Sequence, residues 1–350
     1  MQRLPRYRTG DAKLDTAIGE LVDQIGSGKD TDLIYEMIVS AARLARDHAD
    51  RGDLKIANAA LKEMRYAFSV FAPYRWARKA AIFGSARTQT VDPLYSQTVS
   101  LARQLAAVEW MVITGAGPGI MEAGIEGAGV ENSFGVGIQL PFEAATTQFL
   151  ADDPKLINFR YFFTRKLTFV KEADGFVLLP GGFGTLDEAF ELLTLVQTGK
   201  AQINPIVLLD VPGGTYWHRW LEFISAELFE RSYISPGDTT LFRITDDTSV
   251  ALEELTSFYT NYHSQRYVEG ELVLRLQQEP DDALLKRLNS EFSDVVVRGA
   301  IEKIDATRIE VAEHDHPELP RIRFRFDRHN YARLRAMIDL LNGRPGPPAA

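Results

Sequence analysis

There is no cysteine among the 350 residues of the chain. That absence removes disulfides, thiolate zinc sites, iron–sulfur clusters and cysteine nucleophiles from the list of possible chemistries. Long apolar runs are missing too: none approaches the roughly 20 residues that cross a bilayer, and Met1-Gln2-Arg3-Leu4-Pro5-Arg6 lacks the apolar stretch of a secretory signal. A soluble, cytoplasmic protein without a membrane partner is expected. Positive charge is in short supply, with 39 Lys and Arg against 48 Asp and Glu for a net charge of −9, which argues against wrapping nucleic acid. What is present is a hydrophobic fraction of 45%, enough for a real core and too much for intrinsic disorder. The length suits one large α/β unit with additions, or two domains.

From Asp11 to about Phe71 apolar residues recur at helical spacing, as in Leu14, Ile18, Leu21, Val22 and Ile25, so residues 1–77 read as a helical extension. From Lys79 onward the pattern becomes short apolar runs, each followed by an amphipathic stretch. The runs are Ala80–Phe83, Trp110–Ile113, Phe134–Ile138, Gly175–Leu179, Ile206–Leu209 and Leu241–Ile244. Continuous apolar strands alternating with helices imply a parallel sheet covered on both faces. Residues 78–262 therefore read as a doubly wound, Rossmann-like α/β domain of about six strands. Beyond His263 the order strand, helix, strand, strand, helix suggests a small α+β module over 263–342, and the Pro- and Gly-rich 343–350 tail is expected to be disordered.

Two glycine-rich loops follow strands of the central domain. In the first, Thr114-Gly115-Ala116-Gly117-Pro118-Gly119, glycines permit a tight turn and let backbone amides approach an anion at a helix start. A dinucleotide fingerprint would need glycine at 120, where Ile stands, and the next strand ends without a ribose-binding acid, so NAD is set aside. The same loop could equally be a packing turn. The second loop, Pro180-Gly181-Gly182-Phe183-Gly184-Thr185-Leu186-Asp187-Glu188, precedes a helix expected over Ala189–Thr198. Three glycines and a threonine hydroxyl there suit a phosphomonoester, yet no Lys-Ser/Thr pair follows as in a P-loop. Thr185 and Glu188 also fit a capping box, which leaves capping and catalysis by Glu188 as two open readings. Arg165-Lys166, among the aromatics of Phe159–Phe163, supplies two cations upstream of this loop.

In these three motifs, taken in this order, the sequence resembles the LONELY GUY (LOG) family, the cytokinin riboside 5′-monophosphate phosphoribohydrolases often mislabelled as lysine decarboxylases. The resemblance covers about residues 75–262, with Ala116 replacing a usual glycine. It implies Arg165 and Glu188 as the catalytic pair. It implies substrate contacts at Ser85, at Gly117, Gly119 and Met121 of the first loop, at Glu143, at Lys166, at Gly181, Gly182, Phe183, Gly184, Thr185 and Asp187 of the second loop, and at Thr194. It further implies N-glycosidic hydrolysis of a nucleoside 5′-monophosphate such as AMP or N6-modified AMP, no metal or organic cofactor, and a homodimer or larger homo-oligomer.

Competing readings are weaker. A decarboxylase would hold pyridoxal phosphate on a lysine, but neither Lys166 nor Lys200 sits in a recognisable motif for it. A non-catalytic nucleotide or cofactor carrier of the same fold is the alternative function. His314-Asp315-His316 reads as a solvated loop before it reads as a metal site. Arg321, Arg323 and Arg325 alternate with Ile322, Phe324 and Phe326, which reads as a solvated sheet face, with an anionic regulatory ligand as the sharper possibility.

Overall fold

Residues 6–26, 28–139 and 152–344 are described by the structure, a computed structural model. Glu143 and the 345–350 tail lie outside the described residues. The chain divides into two units, residues 1–65 and 66–350.

The first unit is helical, as the apolar spacing requires. It holds α1 (Ala12–Ile25), α2 (Thr31–Arg46) and the start of α3 (Arg51–Phe71). The Asp11 carboxylate caps α1 by accepting from the amides of Lys13 and Leu14 at 3.0 and 3.2 Å, and Gly26, at φ 70°, ends the helix. Ile18 and Val22 of α1, four residues apart, bury against Tyr35 and Val39 of α2.

The second unit is built on a sheet of seven parallel strands. In chain order its elements are β1 (Lys79–Phe83), α4 (Pro93–Ala107), β2 (Met111–Thr114), α5 (Ile120–Ala128), β3 (Ser133–Ile138), β4 (Leu156–Phe159), α6 (Phe162–Glu172), β5 (Gly175–Leu178), α7 (Phe183–Gln197), β6 (Ile206–Leu209), α8 (Tyr216–Phe223), β7 (Arg243–Thr245) and α9 (Thr248–Ser257). The strand order β4-β3-β2-β1-β5-β6-β7 makes this a doubly wound Rossmann-like fold. Every residue of β1, β2, β5 and β6 is buried, which is why those strands read as continuous apolar runs. The sheet has one strand more than the apolar runs indicated. The additional strand, β4, lies at the sheet edge and alternates in burial, so it carries no such run. At the other edge the strand starts at Arg243, because Leu241 belongs to a preceding 3₁₀ turn.

Chain direction around the sheet reverses between β1 and β5, so the loops leaving their C-terminal ends part and open a crevice. Ala116 lies in the loop after β2 with φ 57°, in the left-handed region, although it is 98% buried. A glycine would hold that conformation without the roughly 1 kcal/mol that a Cβ costs there.

Residues 262–341 add an antiparallel sheet with its own helices: β8 (Tyr262–Val268), β9 (Glu271–Leu276), α10 (Asp282–Glu291), β10 (Glu302–Ile304), α11 (Arg308–Glu313), β11 (Arg321–Phe324) and α12 (Tyr331–Leu341), with strand order β10-β11-β9-β8. Two elements depart from the expected order. β8 is too polar to show strand periodicity, and α11 is short and capped by Thr307. The module packs on the parallel-sheet domain: the Asn342 side chain accepts from the amides of Asn261 and Tyr262 at 2.9 and 2.8 Å, and Arg335 of α12 is ion-paired with Glu254 of α9.

The alternating arginines from Arg321 onward do not form one uniform solvated face: Arg323 is half-buried and Arg325 exposed, whereas Arg321 is neither. Arg321 is buried and ion-paired with Glu310 at 2.8 Å, and Arg323 pairs with Glu271 and Glu302 at 3.1 and 3.6 Å. Arg321 and Arg323 are thus neutralised by acids from α11, β9 and β10, while Arg325 stays on the surface. In the His314-Asp315-His316 segment, His314 ends α11 in a left-handed conformation and Asp315 pairs with Arg266 and Arg275, both at 2.5 Å.

Candidate active site

The crevice at the β1–β5 switch is an open cavity of about 720 Å³. A cavity of that size accommodates a nucleotide. Its walls come from Phe83 at the end of β1 and the turn after it (Gly84, Ser85, Ala86, Arg87), from Met121 of α5, from Phe162 and Arg165 of α6, and from Gly181 to Glu188. Of the residues singled out in the sequence, Ser85, Met121, Arg165, Gly181, Gly182, Phe183, Gly184, Thr185, Asp187 and Glu188 line it together. Lys166 reaches the same group through ion pairs with Asp187 and Glu188 at 2.9 and 3.6 Å. Gly117 and Gly119 of the first loop are not among the lining residues, and neither is Thr194. The latter lies two turns further along α7 and lines a separate small cavity with Phe190, Trp220 and Phe242.

The helix after the second loop begins at Phe183, six residues earlier than the glycines suggested, and Gly182 is its N-cap without any side-chain cap. This overturns the capping box: Thr185 and Glu188 both lie inside α7, Glu188 in its second turn. Three consequences follow. The first turn of α7 lines the cavity, and its amides, as at any helix start, have no acceptor within the helix, which suits an anion. Glu188 faces the cavity floor, 94% buried, and is not committed to the cap. Phe183 is 93% exposed beside it.

The glycines divide into two kinds. A Cβ on Gly181 would lie 2.1 Å from Thr185 Oγ1, and one on Gly119, at φ 69°, would lie 2.5 Å from the Ser85 carbonyl oxygen. Those two are required by the fold. Cβ atoms on Gly182 or Gly184 would meet nothing within 4 Å, so the protein chain alone gives no reason for glycine at either. In the first loop, a Cβ on Gly115 would lie 2.5 Å from an Arg165 Nη and 2.6 Å from Met121 Sδ, and one on Gly117 would press on Met121 Cε at 2.5 Å. This loop makes room for Arg165 and Met121.

Arg165 is fixed by donating Nε–H to the Val136 carbonyl at 2.8 Å, with its guanidinium over the Phe169 ring at 5.1 Å. Burial works against its charge and Glu188 supports it; a guanidinium remains protonated. Burial likewise pushes the Glu188 carboxyl above the usual range, while Lys166 and Arg165 pull it back and Glu191 and Asp187 push it up. Lys166 faces three carboxylates, Glu191 at 2.5 Å included; burial opposes its charge, and the Glu191 and Asp187 contacts outweigh that and hold its pKa high. The arrangement is therefore one buried carboxylate with two fixed cations, under a helix N-terminus. Among the described residues no group of three or more His, Asp or Glu is arranged to hold a metal.

Sequence reading missed Phe83, Arg87 and Phe162 on the walls, and Tyr216 behind them. The first three adjoin the recognised motifs, and proximity to those motifs was the available signal. Tyr216, whose hydroxyl donates to the Gly181 carbonyl at 2.8 Å, is 35 residues away and had none. No helix among the described residues is long and apolar enough to cross a membrane.

Comparison with known proteins points to the same segment. The family model described as "Possible lysine decarboxylase" matches residues 117–255. A "Probable cytokinin riboside 5'-monophosphate phosphoribohydrolase" of Oryza sativa subsp. japonica is 34% identical over 101 residues, 29% of this chain and 46% of the relative. A cytokinin riboside 5′-monophosphate phosphoribohydrolase of Arabidopsis thaliana is 42% identical over 72 residues, 21% of this chain and 32% of the relative. The chain thus spans less than half the length of either relative. Among solved structures, the molybdenum cofactor binding protein from Rippkaea orientalis aligns with 51% of this chain and 94% of its own at 18% identity and a TM-score of 0.36. The segment matched by the family model holds the second glycine loop, Arg165, Lys166 and Glu188, so over that part the chain is similar to phosphoribohydrolases of the LONELY GUY type.

Proposed function

We propose that the protein hydrolyses the N-glycosidic bond of nucleoside 5′-monophosphates, AMP or N6-modified AMP, to free base and ribose 5-phosphate. The observation that carries this reading is Glu188: a buried carboxylate beside Arg165 and Lys166, released from capping, on the floor of a nucleotide-sized cavity. The names of the relatives supply the substrate class. In this reading the 5′-phosphate sits on the amides of the α7 first turn, which fixes the ribose against Glu188. As the C1′–N bond breaks, the sugar gains oxocarbenium character, and the Glu188 carboxylate stabilises it and orients the attacking water. The water oxygen ends on C1′ and one of its protons on the departing base. Arg165 orients Glu188 and the ribose hydroxyls, and Lys166 holds Asp187 and Glu188 in place. We place Ser85 and Met121 at the substrate, with Gly117 and Gly119 shaping the first loop beside them, keep Glu143 as a proposed contact near the base, and assign Thr194 no part in the chemistry within one chain. A homodimer is part of the proposal: Phe162, 53% exposed, and Phe183 are aromatics that a second copy would cover.

Incubation with a panel of nucleoside 5′-monophosphates, with the matching nucleosides as controls, tests the reading. Base should be released from the monophosphates and hardly from the nucleosides. Bound but intact nucleotides would instead indicate a carrier.

Two further results are expected. Gly184→Ala should leave the melting temperature unchanged or raise it, since alanine stabilises a helix by up to about 1 kcal/mol over glycine. Its methyl group would still stand on the phosphate path, so KM should rise at least about tenfold; an unchanged KM would show that no anion approaches that turn. The rate should also depend on an ionised Glu188. Because burial raises its pKa, kcat/KM should fall with decreasing pH at a point above the ordinary carboxylate range. Lys166→Met removes a cation that lowers that pKa, so the acidic limb should move to higher pH; a limb that stays or moves lower contradicts the assignment.

A further inference from the structure

Between β6 and α8 the chain makes a turn that touches the site from behind. The Asp210 carboxylate, 95% buried, accepts from the amides of Val211 and Tyr216, both at 2.9 Å. Gly214 allows this, since a Cβ there would lie 2.2 Å from Asp210 Oδ1. Trp217, next on α8, is wholly buried and donates its indole N–H to the Leu209 carbonyl at 3.2 Å. Tyr216 is thus held at its amide by Asp210 and flanked by an anchored tryptophan, whose ring meets its own edge-to-face at 4.9 Å. Its hydroxyl donates to the Gly181 carbonyl at 2.8 Å.

That carbonyl stands one residue before the N-cap of α7. A peptide unit turned the other way there would present an oxygen, the negative end of its dipole, where an anion should bind. The preceding carbonyl, that of Pro180, is held separately by the Ser85 amide at 3.3 Å. Both carbonyls leading into the helix are therefore tied down, one from the turn after β1 and one from α8.

We propose that Tyr216 is a positioning residue for the anion cradle: by holding the Gly181 carbonyl, its hydroxyl keeps the first turn of α7 open to a phosphate. The inference rests on the phosphate placement above and adds a residue outside the three sequence motifs. It does not require that the bound nucleotide be cleaved.

The test is Tyr216→Phe, which deletes one oxygen, with Tyr267→Phe as a control deletion of a hydroxyl in the C-terminal sheet. Calorimetric titration with ribose 5-phosphate, and steady-state kinetics with AMP, are read beside the melting temperature. Tyr216→Phe should weaken ribose 5-phosphate binding and raise the KM for AMP about tenfold, with kcat changed less than KM. Adenosine, which lacks the phosphate, should inhibit both proteins equally. Tyr267→Phe should bind as wild type does. Unchanged ribose 5-phosphate affinity in Tyr216→Phe, or an equal loss of adenosine and ribose 5-phosphate binding, overturns the proposal, as does a wild-type protein that does not bind ribose 5-phosphate. If wild type binds ribose 5-phosphate but releases no base from AMP, hydrolysis fails as the function, and the binding comparison still decides the role of Tyr216.

Discussion

Glu188→Gln should slow base release from AMP by about a thousandfold while leaving AMP binding within a few-fold of wild type. The amide keeps the shape of the side chain and removes its charge, which is what a developing oxocarbenium ion feels most. A positioned general base or charge stabiliser contributes roughly 10²–10⁴ in rate, and the expected effect lies in the middle of that range. Binding should persist because the proposed anchor for the phosphate is backbone, one to two turns earlier on α7. Rapid separation of adenine from AMP, with equilibrium binding measured in parallel, reads both quantities. If the glutamine variant retains more than a tenth of the wild-type rate, Glu188 is not the group that stabilises the reacting sugar.

The second large effect lies far from the cavity, at Glu310. Arg275 and Arg321 stand directly opposite each other on β9 and β11, an arrangement of like charges that a sheet does not tolerate unaided. Glu310 of α11 resolves it. Its Oε1 accepts from Arg275 at 2.8 and 3.0 Å, its Oε2 lies 2.8 Å from Arg321 Nη1, and Oε2 also accepts from the Thr307 amide and hydroxyl at 3.0 and 2.9 Å. Burial works to raise the Glu310 pKa, but the Thr307 amide and the arginines dominate together and hold it down at about 2. Glu310→Gln should therefore destabilise the protein by about 3–5 kcal/mol, because it removes the carboxylate shared by two buried guanidinium groups and leaves Arg275 with Asp315 and Arg321 with backbone carbonyls. The pH dependence follows from a depressed pKa. Wild type should have the Glu310 contribution in full above the ordinary carboxylate pKa near 4.5 and lose it as pH falls toward about 2, whereas the glutamine variant should lack that slope. Urea unfolding at neutral pH and between pH 5 and 2 checks both parts. Equal stabilities at pH 7 would contradict this description of the module's core.

The strands and the site loops were legible because both leave local marks. Buried parallel strands must be apolar at every position, so β1, β2, β5 and β6 announced themselves, and the turn between β5 and α7 needed glycines that nothing else explained. β4 and β8 were hidden for the opposite reason: an edge strand and a strand of a half-open antiparallel sheet carry polar residues. The start of α7 was misplaced because glycine argues against helix, whereas a first turn tolerates Gly184 more readily than a helix interior would. That error mattered, since it made Glu188 look like a capping residue. Alternation could not reveal Glu310 as the partner of Arg321, or Glu271 and Glu302 as the partners of Arg323, because those acids come from other elements. Tyr216 was invisible on the same grounds, because its partner is 35 residues away and no spacing rule connects them.

The central claim, that this cavity cleaves a nucleotide as well as binding one, is tested most directly by following AMP to completion and quantifying adenine and ribose 5-phosphate together. Equal amounts of the two, in large molar excess over the protein and dependent on Glu188, are expected. AMP recovered intact, or converted to adenosine and phosphate, would contradict it.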